Sequence, residues 1–324
     1  MSYRIIGTGS ALPRKVVTND DLAEFLDTSD EWIHTRTGIR RRHVCTTETL
    51  DDLASLAAER ALEMSGLTVG DIDLIVGSTS SSDHMVPAMA SIVQGALGAD
   101  CMSFDVYVGC SGFVAALDVA DGYFARGRAR HALIVAAEKV TRLVDWTDRS
   151  TCVLFGDGAG AAVVEHVEGE DLPFRATNQP SMALVMPGIP SRSPYDEHRD
   201  AGVSSLVMDG RAVFRFAVKS VTEDIQRLCE AAGVAIDDVD HFVLHQANDR
   251  IIASVVQHLG LDDAKVAHNI AETGNISSAC IPLALDLANR RGDLRRGDLI
   301  ALVGYGAGLA VNSCLFRWDM DSVA

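Results

Sequence analysis

The chain of 324 residues repeats one order of helix and strand at a spacing of about 167 residues. Three elements recur in this way: a helix that closes at Gly66 and again at Gly233, a strand that begins at Asp71 and again at Asp238, and a strand that begins at Ala132 and again at Asp298. Three matches in register predict a duplicated α/β unit, in which helices cover mixed, mostly parallel sheets of buried strands.

The repeat predicts two halves, residues 1–167 and 206–324, joined by a loop-rich connection of residues 168–205. This connection carries five prolines, at positions 173, 180, 187, 190 and 194, and prolines at this density interrupt regular structure. A long irregular segment in a compact fold commonly serves as a lid, a binding loop or an interface arm. The pattern leaves these three roles open.

Composition argues against several classes of protein. The net charge of −17 is unsuited to a general nucleic-acid binder, which needs a basic face. No apolar run reaches the roughly 18 residues of a membrane-spanning helix, and the first residues lack the apolar core of a secretory signal. The seven cysteines form no CxxC pair, so neither a zinc site nor a disulfide framework is indicated. These features predict a reduced, cytoplasmic protein that binds neither nucleic acid nor membrane.

The segment from Ser103 to Leu117 brings a cysteine to the junction of a strand and a helix. Apolar residues up to Val108 predict a buried strand, Gly109 predicts a tight turn, and the residues that follow have helical spacing. Cys110 therefore lies where unpaired backbone N–H groups and the positive end of a helix dipole are expected to lower the pKa of its thiol. A catalytic thiolate and a buried structural cysteine both fit this position.

Two polar residues lie at the ends of predicted elements in the second half. His245 follows an apolar strand, and Asn275 lies in a Gly/Ser-rich turn before a helix predicted for residues 283–290. The repeat spacing projects Cys110 onto position 276, next to Asn275, so these two residues are expected to converge on one cavity. Taken alone, His245 also fits a core histidine and Asn275 a turn residue.

Six motifs resemble, in order and spacing, those of the β-ketoacyl-acyl-carrier-protein synthase III family of the thiolase superfamily. They are Thr28–Ile39, Phe155–Ala161, Met208–Ala217, His245–Asn248 (His-Gln-Ala-Asn), Gly274–Asn275 and Gly304–Gly308 (Gly-Tyr-Gly-Ala-Gly). The resemblance extends over nearly the whole chain. It implies a thiolase-like fold with α/β/α/β/α layering and an acyltransferase of fatty-acid biosynthesis, within lipid metabolism.

The resemblance implies a Cys–His–Asn catalytic set of Cys110, His245 and Asn275. Backbone N–H groups of Cys110 and of the loop Gly306–Ala307 would stabilise the oxyanion. The implied reaction is a decarboxylative Claisen condensation: an acyl-CoA primer acylates Cys110, and malonyl-acyl-carrier protein then accepts the acyl group with loss of carbon dioxide. It requires no metal and no redox cofactor, because acyl-CoA is a substrate.

The resemblance also implies the surfaces that bind the two substrates. Coenzyme A would contact Thr28, Trp32, Arg36, Arg149 and Asn248, with its adenine between the tryptophan and Arg149. The acidic carrier protein would dock on Arg215 and Arg250. Members of the family are homodimers, and some of them place at the position of Val86 a phenylalanine that ends the acyl pocket of the partner subunit. The smaller valine side chain predicts primers longer or more branched than acetyl.

The chain departs from the family pattern near the implied site, at Tyr107, Asp249, Gln257, His258, Thr273, Ile276 and Ala307. Asp249, Gln257 and His258, which follow the His-Gln-Ala-Asn motif, weaken the basic patch that is expected to bind a carrier protein. Ala307 replaces a glycine of the oxyanion loop. Two alternatives therefore stay open. One is a related condensing enzyme or acyltransferase of specialised, polyketide-type metabolism with an unusual primer or acceptor. The other is a non-catalytic coenzyme A or acyl binding protein, which retention of all three catalytic residues disfavours.

Overall fold

The computed structural model describes residues 3–169, 172–190, 192–197 and 204–321. Within these ranges the strands are β1 (Tyr3–Ala11), β2 (Lys15–Thr18), β3 (Arg41–Val44), β4 (Leu74–Ser78), β5 (Met102–Val106), β6 (His131–Lys139), β7 (Asp157–His166), β8 (Phe174–Asn178), β9 (Leu184–Val185), β10 (Val207–Met208), β11 (His241–Leu244), β12 (Leu299–Gly306) and β13 (Ala310–Arg317).

The helices in the same ranges are α1 (Asn19–Ala23), α2 (Asp30–Thr37), α3 (Leu50–Ser65), α4 (Met89–Leu97), α5 (Gly112–Ala125), α6 (Gly210–Ala232), α7 (Asp249–Leu259), α8 (Ile270–Thr273) and α9 (Cys280–Arg291). None of these described helices combines the length and the apolar character needed to cross a lipid bilayer.

Five layers of helix and sheet alternate through the molecule. Helices α5 and α9 lie between two central sheets and contact strands of both. Helices α3 and α4 cover the outer face of the first sheet, and α6 and α7 cover that of the second. The middle layer buries Phe113, Leu117 and Leu283 completely, which accounts for the apolar character of its two helices. This layering confirms the predicted α/β/α/β/α arrangement of duplicated halves.

The two central sheets are mixed. The first has the order β1-β7-β6-β4-β5, in which β4 runs parallel to β5 and β6, and β7 runs antiparallel to β6 and β1. The second has the order β11-β12-β13-β8, with one parallel pair followed by two antiparallel pairs. The prediction of mostly parallel pairing is therefore wrong for the described strands. A strand buried on both faces reads as a continuous apolar run in either direction, so the pattern does not reveal the direction of β7 or β13.

Part of the predicted loop-rich connection belongs to the second sheet. Strand β8 pairs with β13 at the edge of that sheet, and β9 pairs with β10 in a small separate ladder. The residues of β8 are half-buried or exposed, so they lack the apolar run that predicts a central strand. Positions 170–171, 191 and 198–203 of the connection lie outside the described residues.

Local capping signals set the ends of the helices. Helix α3 begins after Thr49, whose hydroxyl caps its first turn, and ends at Gly66 with a φ of +71°. Thr18 caps α1, and Asn19 is its first helical residue. The side-chain amide of Asn19 is buried and donates to the Asp30 carboxylate at 2.8 Å. Its polar group thus ties α1 to α2 instead of capping a helix.

The two halves place their central helices at equivalent corners. A 3₁₀ turn at Gly109–Ser111 leads into α5, and a 3₁₀ turn at Ser277–Ala279 leads into α9. Helix α9 begins at Cys280, before the predicted start at residue 283. Pro282 is compatible with this earlier start, because it lies in the first turn, where its missing N–H breaks no helical hydrogen bond. The two 3₁₀ turns contact each other, so the corners that carry Cys110 and Asn275 meet.

Candidate active site

A cavity of about 280 Å³ opens between the two halves of the molecule. Cys110, His245 and Asn275 all line it, although they come from three different segments of the chain. Much of the remaining wall is apolar and includes Phe155 and Phe214. The structure therefore brings the three predicted catalytic residues together, at a place where an apolar chain can lie beside a thiol.

Cys110 lies in the 3₁₀ turn that leads into α5 and is only 4% exposed. Gly109 before it has a φ of +59°, a left-handed conformation that glycine adopts without strain. Burial raises the pKa of the Cys110 thiol to about 11, against opposing hydrogen bonds from the Ser277 hydroxyl and from the backbone N–H groups of Ala307 and of Cys110 itself. The expected lowering of this pKa is therefore wrong, because lost hydration outweighs the donors at the helix start.

His245 follows β11 and is 1% exposed. Its backbone N–H donates to the Val303 carbonyl at 2.9 Å, and its carbonyl accepts a hydrogen bond from the Tyr305 hydroxyl at 3.1 Å. The Tyr305 ring packs edge-on against the imidazole, with the ring centroids 5.1 Å apart. Burial lowers the pKa of His245 to about 3. The imidazole is therefore neutral at physiological pH and has one nitrogen that can accept a proton.

Asn275 is fixed through its backbone and through its side-chain oxygen. Its N–H donates to the Leu154 carbonyl at 2.9 Å, and its carbonyl accepts from the Gly156 N–H at 3.0 Å. A Cβ at Gly156 would lie 2.4 Å from the Thr273 carbonyl oxygen, so this approach requires glycine. The Oδ1 atom of Asn275 accepts from the Ser277 N–H at 2.8 Å, which leaves the Nδ2 donors for the cavity.

The predicted oxyanion loop Gly306–Ala307 lies directly against Cys110. A Cβ at Gly306 would lie 2.7 Å from the Cys110 Cβ and 2.9 Å from its Sγ. The Ala307 N–H hydrogen bonds to the thiol. In the described chain Ala307 is not among the residues with positive φ, in contrast to Gly308 and Leu309, so an alanine fits position 307 without strain. The loop thus turns an N–H group toward the reactive sulfur, as an oxyanion site requires.

We expect Gly306→Ala to slow the alkylation of Cys110 by iodoacetamide about 10-fold. The added methyl group must displace the Cys110 side chain or the loop, and such local overpacking typically costs about 1–3 kcal/mol. Gly95→Ala is the control, because a Cβ there has no neighbour within 4 Å. Rate constants at one pH, measured by mass spectrometry of the Cys110 peptide, test this expectation. Equal rates in the two variants would contradict it.

The two pKa values predict how the reactivity of Cys110 depends on pH. With a thiol pKa of about 11 and an imidazole pKa of about 3, the thiolate fraction should rise about tenfold per pH unit between about pH 6 and pH 10. The rate constant for alkylation of Cys110 should follow it without a plateau. A plateau near pH 7 would show that a thiolate–imidazolium pair already exists in the free enzyme.

The residues predicted to bind coenzyme A gather at the solvent end of the cavity. Trp32, Arg36, Arg149 and Asn248 line it, and both arginines are exposed. The Asn248 amide donates to the Arg36 carbonyl at 3.1 Å, which ties α7 to α2. Thr28 is not part of the lining, and its hydroxyl is buried without a hydrogen-bond partner in the described structure. Four of the five predicted residues therefore lie together.

The space predicted for adenine between Trp32 and Arg149 is too narrow for a base in this structure. A flat ring with contacts on both faces needs roughly 7 Å between its neighbours, whereas the guanidinium carbon of Arg149 lies 5.0 Å from the centre of the Trp32 ring. Asp27 holds Arg149 there through its carbonyl and through its carboxylate, which is 3.1 Å away. Arg149 must withdraw from Trp32 before a base can enter between them.

The residues predicted to bind the carrier protein are exposed but do not line the cavity. Arg215 in α6 and Arg250 in α7 are each next in sequence to a lining residue, Phe214 or Ile251. Val86 is 84% exposed and does not line the cavity of its own chain. A role for Val86 in an acyl pocket therefore requires a second subunit.

Three residues beside the site escaped the sequence patterns. Glu138 is completely buried in the otherwise apolar run of β6. A single carboxylate in such a run was the feature of the sequence that could have indicated it. Ser277, with a φ of +47°, and Tyr305, which packs on His245, carried no signal beyond the motifs that contain them. Leu184 and Met186 bring part of the loop-rich connection into the cavity wall.

Two family models match the chain. The model for 3-oxoacyl-[acyl-carrier-protein] synthase III matches residues 104–181, and the model for the C-terminal part of the same enzyme matches residues 229–318. A β-ketoacyl-[acyl-carrier-protein] synthase III of Caulobacter vibrioides is 46% identical over an alignment of 324 positions, which covers 97% of this chain and 98% of that relative.

Solved structures extend the similarity over both halves. The 3-oxoacyl-(acyl carrier protein) synthase III of Pseudomonas aeruginosa has a TM-score of 0.92 at 38% identity, with 99% of each chain covered. The priming β-ketosynthase of a polyketide biosynthetic pathway has a TM-score of 0.92 at 37% identity, with 99% of this chain and 97% of that chain covered. These matches confirm the thiolase-like fold. The chain therefore belongs to the 3-oxoacyl-[acyl-carrier-protein] synthase III family, the acyl-transferring condensing enzymes that initiate fatty-acid synthesis.

Proposed function

We propose that the protein condenses an acyl-CoA primer with malonyl-acyl-carrier protein through an acyl group on Cys110, with loss of carbon dioxide. The observation that carries this proposal is the convergence of Cys110, His245 and Asn275 on one largely apolar cavity. A buried thiol beside a neutral imidazole and a free amide can first be acylated and can then support an enolate at the same place.

The first half-reaction transfers the acyl group to Cys110. Because the thiol pKa is raised to about 11 by burial, the thiol needs a base as it attacks, and the neutral imidazole of His245 can take its proton. The new bond joins Sγ to the thioester carbon, and the N–H groups of Ala307 and Cys110 face the developing oxyanion. The bond from that carbon to the sulfur of coenzyme A then breaks, and coenzyme A leaves with the proton.

The second half-reaction makes the carbon–carbon bond. The bond between the malonyl carboxylate and its neighbouring carbon breaks, carbon dioxide leaves, and the electron pair forms an enolate on the carrier-bound thioester. The N–H of a neutral His245 and the Nδ2 group of Asn275 can both donate to the enolate oxygen. The enolate carbon attacks the acyl-cysteine, and Cys110 leaves as the thiolate and regains a proton. This scheme calls for no metal and no redox cofactor.

The exposed arginines at the cavity mouth suit the two substrates. Arg36 can meet the phosphates of coenzyme A, and Trp32 can stack on its adenine once Arg149 has withdrawn. The exposed Arg215 and Arg250 offer local positive charge to an acidic carrier protein, although the chain carries a net charge of −17.

We expect Trp32→Ala to raise KM for acyl-CoA about 10-fold with little change in kcat. The indole supplies a stacking face outside the chemical centre, so its loss weakens binding of substrate and transition state alike. Trp32→Phe should restore most of the affinity, because it keeps an aromatic face. Steady-state kinetics with varied acyl-CoA measure this. A fall in kcat at unchanged KM would place Trp32 in the chemistry instead.

The edge of the first sheet suits a second copy of the chain. Strand β5 ends that sheet, and the exposed apolar side chains Met85, Val86, Met102 and Tyr107, which are between 56% and 84% exposed, lie on or near it. A homodimer formed there would cover this surface and could place Val86 at the acyl pocket of the partner subunit. The small side chain would then admit primers longer or more branched than acetyl.

The alternative is priming of a specialised, polyketide-type pathway. It is favoured by the equally close structural match to a priming β-ketosynthase and by the scarcity of basic residues after the His-Gln-Ala-Asn motif, where Asp249 and Gln257 stand. The same catalytic residues serve both reactions, so the two differ in primer and acceptor.

The test supplies malonyl-acyl-carrier protein together with straight and branched acyl-CoAs of increasing length. The proposal expects coenzyme A, carbon dioxide and 3-ketoacyl product in equal amounts. Release of coenzyme A without carbon dioxide would mean another acceptor and would favour the alternative. Strict preference for acetyl-CoA would overturn the role given to Val86.

A further inference from the structure

A buried carboxylate that the proposed reaction does not use lies behind the site. Glu138, near the end of β6, has no exposed surface. Its Oε1 accepts hydrogen bonds from the Ser277 hydroxyl at 3.0 Å and the Ser278 hydroxyl at 2.8 Å. Its Oε2 accepts from the Ser80 N–H at 3.0 Å and from the Ser81 hydroxyl. Both oxygens are thus satisfied by neutral donors, and burial raises the pKa of the carboxyl against these hydrogen bonds.

One of these donors reaches two of the residues proposed as catalytic. Ser277 has a φ of +47°, a left-handed conformation that residues other than glycine rarely adopt. In this conformation its N–H donates to Oδ1 of Asn275 at 2.8 Å. Its hydroxyl hydrogen bonds to Glu138 and also reaches the Cys110 thiol. The bond to Glu138 therefore helps to hold a strained residue that contacts Asn275 and Cys110 together.

We propose that Glu138 and Ser277 are positioning residues: Glu138 holds Ser277 so that its N–H orients the Asn275 amide and its hydroxyl abuts the Cys110 sulfur. The part that concerns Asn275 rests on the proposed function, whereas the part that concerns Cys110 does not. Glu138 is set on the first half of the chain and Ser277 on the second. The pair thus couples the two corners that meet at the cavity.

The ionisable and polar groups around Cys110 predict how substitutions of Glu138 and Ser277 change the reactivity of its thiol. The ionisable groups that face the thiol are Glu138 from β6, His245 after β11, Cys280 from α9 and Tyr305 from β12. Burial keeps His245 neutral and raises the pKa of the Cys280 thiol and the Tyr305 hydroxyl. Burial raises the pKa of the Glu138 carboxyl as well, and in its ionised form this group disfavours the thiolate, whereas the Ser277 hydroxyl favours it.

The test compares alkylation of Cys110 by iodoacetamide at pH 8 in three variants. Ser277→Ala removes a donor to the thiolate and should slow the reaction about 10-fold. Glu138→Ala removes the acceptor that holds Ser277 against the sulfur, so it should slow the reaction about as much as Ser277→Ala does. Ser278→Ala is the matched control, since its hydroxyl binds the same Oε1 atom and otherwise the Ser78 carbonyl at 3.3 Å. Its rate should stay within about twofold of wild type.

A second readout follows the role of Asn275. Carbon dioxide release from malonyl-acyl-carrier protein by the acylated enzyme should fall about 10-fold in kcat for Ser277→Ala, with KM unchanged, and stay near wild type for Ser278→Ala. Equal effects of the two serine variants, or alkylation at the wild-type rate in Glu138→Ala, would overturn the inference. If Glu138→Ala does not fold, the two serine variants decide alone. If the variants show the expected alkylation rates but the wild-type protein releases no carbon dioxide, the proposed function is refuted. The inferred placement of Cys110 would still stand.

Discussion

We expect Cys110→Ala to leave no acyl adduct on the protein and to lower turnover of acyl-CoA at least about 10⁴-fold, because it removes the atom that forms the covalent intermediate. Among the described residues no other cysteine lines the cavity. The Sγ atom of Cys280 lies 3.7 Å from Oδ1 of Asn275. Because Cys280 does not line the cavity, we do not expect it to take over as nucleophile. Intact-protein mass spectrometry after incubation with acyl-CoA measures the adduct.

The matched control for this prediction is Cys229→Ala. The Cys229 side chain is 2% exposed, and burial raises its pKa to about 11, as it does for Cys110. It lies in α6 and does not line the cavity. Cys229→Ala should therefore keep both the adduct and the turnover. An adduct on Cys110→Ala that maps to another residue would refute the assignment of the nucleophile.

Asn275→Ala separates the two half-reactions. It should lower carbon dioxide release from malonyl-acyl-carrier protein about 100- to 1000-fold, the usual cost of losing one donor to a developing oxyanion. Acylation of Cys110 should change little, because that step uses the N–H groups of Ala307 and Cys110. Release of labelled carbon dioxide by the acylated enzyme measures the first effect, and the rate of adduct formation measures the second.

Asn269→Ala is the control, because it removes the same side-chain amide from a second asparagine near Asn275 in sequence. Asn269 is 5% exposed, its side-chain amide has no hydrogen-bond partner in the described structure, and it does not line the cavity. It should therefore release carbon dioxide at close to the wild-type rate. If Asn275→Ala blocked acylation as strongly as decarboxylation, Asn275 would be a structural residue of the turn and not an enolate donor.

The site residues that could best be predicted from the sequence lie at the ends of secondary-structure elements. Cys110 and His245 follow apolar strands, and a strand end is visible in the pattern of a single sequence. Asn275 became visible through the repeat, which projects Cys110 next to it. The family motifs then named the three together, and the structure places all of them on one cavity. Their roles stay predictions until the variants above are measured.

Properties set by tertiary packing could not be read from the sequence in the same way. The pKa of Cys110 is raised instead of lowered because burial, which no local pattern reports, exceeds the effect of the helix start. The stacking of Arg149 on Trp32 depends on Asp27, more than 100 positions away in sequence. The contact of Glu138 with Ser277 joins the two halves and likewise has no local signature.

The most direct test of the account is a pulse and chase on the intact protein. The wild-type enzyme is loaded with an acyl-CoA, freed of excess substrate, and then given malonyl-acyl-carrier protein. The account predicts an adduct of one acyl group per chain on Cys110, and its disappearance in step with release of carbon dioxide and formation of 3-ketoacyl-carrier protein. An adduct that persists in the presence of malonyl-acyl-carrier protein, or product formation without any adduct, would contradict condensation through an acyl-cysteine.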